Sequence, residues 1–108
     1  MTDALTVHIT APDVARAAEL ARVLVAERLC ACVNIIPQVR SIYRYEGKIC
    51  DEAEVLCIVK TRPALFARLQ SRVRELHPYQ VPEVLAFAVH DGSPDYLDWL
   101  RESTADAG

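Results

Sequence analysis

Histidine and cysteine are the residues of this chain best suited to chemistry, and their spacing limits what that chemistry can be. His77 stands directly before Pro78, where a helix is expected to end. It is the best single metal ligand, and by the Irving–Williams order its imidazole would prefer Cu(II) among divalent ions. A stable site needs two or more converging ligands, so a lone imidazole is more often structural or solvated than a metal ligand. Cys30, Cys32, Cys50 and Cys57 read as free thiols, because Cys30-x-Cys32 fits neither a zinc knuckle nor a redox CxxC. Cys50, beside Asp51 and Glu52, is expected to be the most accessible of the four. No Ser/His/Asp, Cys/His or HExxH pattern is present, and the three glycines form no phosphate-binding loop, so no enzyme is expected. His8 and His90 have no partner visible in sequence and are assigned no role.

The elements that must position these residues are legible from periodicity. Leu5 to Thr10 alternates as a first strand. Thr10-Ala-Pro-Asp13 reads as a helix start with Thr10 as cap, and the apolar stripe that follows carries the helix to about Arg28. Cys32 to Thr61 reads as two long arms rich in β-branched residues, joined at Glu46-Gly47, with Pro37 marking a bulge. Thr61-Arg62-Pro63 repeats the cap-and-proline signal for a second helix, which ends at Leu76 because the residue before proline avoids helical geometry. Val81 to Val89 reads as a last strand covered on both faces, and Pro94 to Arg101 as a short helix burying Tyr96, Leu97, Trp99 and Leu100.

This order, β-α-β-β-α-β with a C-terminal helix, predicts an α+β ferredoxin-like sandwich: four antiparallel strands with two helices on one face. The 108 residues allow one domain, placed at residues 1–102, with 103–108 read as a disordered tail. A net charge of -3 gives no electrostatic footprint for nucleic acid. No apolar run reaches membrane-spanning length and the first ten residues are too polar for a signal peptide, so a cytoplasmic protein is expected. A hairpin with arms longer than a small sheet can pair, and a sheet face without helices, both call for other copies of the chain.

Thr10-Ala-Pro-Asp13, Cys32-Val-Asn-Ile-Ile-Pro37, Ser41-Ile-Tyr43 with Glu46-Gly-Lys48, Lys60-Thr61, and Glu75-Leu-His-Pro-Tyr79 through Val81-Pro-Glu83 together resemble the CutA family of divalent-cation tolerance proteins. The resemblance implies a homotrimer of PII-like architecture, no established reaction, and a link to copper or another divalent cation, expected to bind weakly with His77 as main ligand and not to be required for folding. It also places Tyr43, Tyr45, Lys60, Tyr79 and Glu83 around a cleft between subunits, where aromatic walls with a lysine and a carboxylate could hold a small anionic ligand. Some family members with a proposed copper site have a second histidine and a cysteine where this chain has Leu76 and Ile9, which weakens any metal site within one chain. Two classes follow: a trimeric divalent-metal binding and tolerance protein, or a PII-like small-molecule sensor or interaction scaffold.

Overall fold

The structure, a computed structural model, describes residues 2–105. Four strands form one antiparallel sheet in the order β2-β3-β1-β4: β1 is Leu5–Ala11, β2 Cys32–Tyr45, β3 Lys48–Thr61 and β4 Leu85–Ala88. Helices α1 (Val14–Ala26) and α2 (Phe66–Leu76) cover one face, and α3 (Pro94–Ser103) closes the chain. This is the ferredoxin-like arrangement that the element order predicts.

Period-2 alternation decides which face is closed. Val7, Ile9 and Ala11 of β1 and Val55, Cys57, Val59 and Thr61 of β3 are buried under Leu20 and Leu24 of α1 and Leu69 and Val73 of α2. The residues between them, Thr6, His8 and Thr10 with Leu56, Ile58 and Lys60, stand on the other face, which no helix covers.

The long hairpin forms as expected. Tyr45 pairs with Lys48 across a two-residue turn whose positive φ values, 49° at Glu46 and 77° at Gly47, are those of a primed turn matching strand twist. Pro37 interrupts the ladder: Ile36 pairs with Leu56 but Val39 with Glu54, leaving one extra residue on β2 and Gln38 at φ 63°. Beyond the bulge the arms leave the helices behind, and Ile42 and Ile49 stand 65% and 66% exposed.

Several local readings change. The cap of α1 is Asp13, whose carboxylate accepts from the Arg16 N–H at 2.7 Å; Thr10 stays in the strand because β3 pairs with it. The helix ends in a Schellman pair, Leu29 N–H to Leu24 O and Arg28 N–H to Val25 O, with Arg28 at φ 60°. Thr61 does not cap α2: it is buried, and its hydroxyl donates to the Leu29 carbonyl at 2.7 Å, while a 3-10 turn at Pro63–Leu65 leads into the helix. The last strand is four residues rather than nine, and all four are exposed, because it pairs only with Leu5–His8 and forms the sheet edge. Helix α3 buries Leu100, whereas Tyr96 and Trp99 lie exposed and pack on each other. It runs to Ser103, and Thr104 is buried with its hydroxyl donating to Leu100 O and accepting from Arg62 Nε, so the expected disordered tail does not begin at 103; residues 106–108 lie outside the described residues.

Candidate functional site

Tyr43, Tyr45, Tyr79 and Glu83, four of the five residues expected around a cleft between subunits, line one groove within a single chain. Where the hairpin leaves the sheet, a groove of about 820 Å³ is bounded by Tyr43 and Tyr45 of β2, Glu52 and Glu54 of β3, and Tyr79 and Glu83 of the segment after α2. Counting outward from the turn explains the first group. Tyr43 faces Cys50 and Ser41 faces Glu52, so Tyr43 and Glu52 are diagonal neighbours on one face. The Tyr43 hydroxyl donates to the Glu52 carboxylate, and this bond, followed by desolvation and the charge of Glu52, pushes the phenol up to about 12. The Tyr79 hydroxyl donates to Glu54 Oε2 at 2.7 Å; burial first, then that bond, raises its pKa. Both phenols therefore remain neutral donors at physiological pH.

Lys60 is not in this groove. It shares a face with Glu54 but lies six residues further along β3, about 20 Å at the strand rise of 3.3 Å per residue. The groove's charged lining within one chain is Glu52, Glu54 and Glu83, without a cation, and its electrostatics do not favour the anionic ligand expected from sequence. In sequence Glu52 stands out only as a neighbour of Cys50 and Glu54 carries no site role, although the two-residue turn fixes the register of both against Tyr43.

His77 ends α2 and is 7% exposed, not at the open helix end that its sequence position suggests. Its Nε2–H donates to the Thr10 carbonyl at 2.6 Å, its Nδ1 accepts from the Tyr79 N–H at 3.1 Å, and its ring packs against that of Tyr79. These bonds fix one neutral tautomer and occupy both nitrogens. The histidine thus ties the segment carrying Tyr79 to β1, and the donor set of one chain does not fit a resident metal. Among the described residues no group of three His, Cys, Asp or Glu side chains could hold an ion.

All four cysteines are free. Cys30 and Cys57 are buried; burial, then the neighbouring Cys32, pushes the Cys30 thiol up to about 12, and burial also raises Cys57. Cys32 is half-buried like Cys50, so Cys50 does not stand apart in accessibility.

Comparison with known proteins agrees with this geometry. Residues 5–103 match the family described as CutA1 divalent ion tolerance protein. The divalent-cation tolerance protein CutA of Thermus thermophilus is 49% identical over 98 residues, 91% of this chain and 95% of its own length. Human Protein CutA is 47% identical over 96 residues; the match covers 89% of this chain and 54% of that protein, so this chain spans about half of its longer relative. The crystal structure of CutA1 from Oryza sativa superposes with a TM-score of 0.94 at 40% identity, covering 97% of this chain and 96% of that one. Among the described residues no helix is long and apolar enough to cross a membrane. A family match over almost the whole chain, with the same fold at this identity, makes the chain a member of the CutA1 divalent ion tolerance family.

Proposed function

We propose that this chain acts in divalent-cation tolerance as a cytoplasmic, non-catalytic homotrimer. The observation that carries the reading is the mismatch between the chain's apolar surface and its own helices. The distal hairpin presents Ile42 and Ile49, and the edge strand β4 presents Leu85 and Phe87, 54% and 47% exposed. An unprotected hairpin and an unprotected edge in one small protein are satisfied together by pairing with further copies in a closed ring. Folding and assembly are then coupled, with no stable folded monomer. Static light scattering at low protein concentration tests this: the expected mass is three times the 12.0 kDa chain mass, and a native-like species of one chain mass overturns it.

Copper is the ion this reading prefers, bound weakly and by ligands shared between chains. His77 belongs to such a site only if its ring leaves the Thr10 carbonyl or the Tyr79 amide. Calorimetry with Cu(II) on the wild type and His77→Ala decides its part, since equal uptake removes it. The second reading, a PII-like sensor or scaffold, is favoured by the size of the groove around Tyr43, Tyr45, Tyr79 and Glu83. In a trimer, Lys60 of another chain could complete that groove and restore the cation that one chain lacks. A small anion co-purifying in the cleft supports it.

A further inference from the structure

His8 sits in the middle of the central strand β1, on the sheet face that no helix covers. It pairs with Ile58 of β3 on one side and Leu85 of β4 on the other, and its ring lies 4.5 Å from that of Phe87. Its other neighbours on this face are Thr6 and Thr10 along β1, Leu56 and Lys60 diagonally on β3, and Asn34 beyond Ile58 on β2. The titratable groups facing this region are Lys60, Cys32 opposite it, and Tyr96 of α3, which packs against β3 near Cys32; α1 and α2 pack on the other side of the sheet and contribute none. The carboxylates of one chain toward the groove end are Glu83, two residues before Leu85 and lining the groove with Thr10, and Glu54, which is held by the Tyr79 hydroxyl. The histidine thus has Ile58, Leu85 and Phe87 beside it, with Lys60 and Glu83 as the charged groups further along the face.

We infer that His8 makes the assembly of this chain acid-sensitive: the neutral imidazole is compatible with a covered sheet face, and the imidazolium is not. The inference rests on the trimer proposed above. Imidazole is the side chain whose charge ordinarily changes between pH 5 and 8. Once another copy covers the face, a proton on His8 becomes a buried charge that no carboxylate of its own chain bonds, on the same face as the like charge of Lys60. The Phe87 ring offers a cation a weak contact, which does not replace the lost water. Symmetry repeats the cost in every subunit, so assembly excludes one proton per chain. The association constant then falls by about tenfold per pH unit for each excluded proton, below the range where the free histidine titrates.

Sedimentation velocity and far-ultraviolet circular dichroism of the full chain between pH 8 and pH 5 test this, with two variants. The wild type is expected to be trimeric at pH 8 and to lose trimer toward pH 5. His8→Gln, neutral at both values, is expected to stay trimeric at pH 5, and His8→Lys to be dissociated already at pH 8. A wild type trimeric throughout, or a His8→Gln protein that dissociates on acidification as the wild type does, overturns the inference and leaves the trimer standing. A wild type of one chain mass at pH 8 overturns the trimer reading and the inference with it. His77 is intact in both variants, so an acid response arising there persists in His8→Gln and counts against His8.

Discussion

The two faces of β3 are made of alternate residues of one strand, yet they differ in what completes them. Val55, Cys57, Val59 and Thr61 meet α1 and α2 of the same chain and are fully enclosed. Leu56 and Ile58 lie among Ile36, His8 and Leu85, with no helix above them. The first face is finished by the chain itself, and the second is about as apolar at its centre but unfinished. Apolar residues on a face therefore do not show whether their cover comes from the same chain; that depends on how many helices the chain can bring to the sheet, here two, both on one side.

Substitutions on the two faces should separate these roles. Ile58→Lys places a charge at the centre of the open face, and an uncompensated buried charge costs about 3–5 kcal/mol in the assembly. Its effect should depend on protein concentration, appearing as a loss of trimer mass in light scattering. Leu69→Ala opens a cavity on the closed face and should cost about 3 kcal/mol of stability. Its denaturant midpoint should fall while the protein in native buffer keeps its trimer mass, and a loss of trimer mass as large as that of Ile58→Lys would erase the distinction between the faces. Thr61→Val keeps the volume but deprives the buried Leu29 carbonyl of its hydroxyl donor, at a cost of about 1–2 kcal/mol in the same unfolding experiment.

The smallest effect belongs to the hairpin, outside both faces. Arg40 donates two bonds to Asp51 at 2.8 and 2.6 Å, and these hold the Asp51 carboxyl below its usual range. A carboxyl depressed in the folded state adds stability above its unfolded value of about 3.9, and that stability is lost as pH falls through the lower folded value. Asp51→Asn should remove this component and flatten the thermal-midpoint profile slightly below about pH 4, leaving it unchanged near neutrality. Both groups face water, so a large change would be unexpected.

Local chemistry made much of this readable in sequence. The hairpin could be read because β-branched alternation and Glu46-Gly47 act within a few residues of each other. The helices could be read from their apolar stripes. Long-range contacts were not legible. His77 is buried because the Thr10 carbonyl comes to it from 67 residues away, and Thr61 turns inward because Leu29 needs a donor. The apolar run from Val81 suggested a long strand, but β1 offers β4 only Leu5–His8 as partners. Lys60 and Glu83 looked like partners in one cleft, whereas Lys60 lies along the strand from the groove that Glu83 lines.

The extra residue near Pro37 has a consequence for the hairpin beyond it. Ile36 and Val39 are separated by an odd number of positions, yet both share a face with their partners Leu56 and Glu54. The bulge therefore resets the parity of the whole distal arm, like a one-count phase shift in a two-count rhythm. Strict alternation from Ile36 through Gln38 would instead have turned Tyr43 and Tyr45 to the face of Asp51 and Val55. The three tyrosines come together beside Glu52 and Glu54 because one residue on β2 is left unpaired.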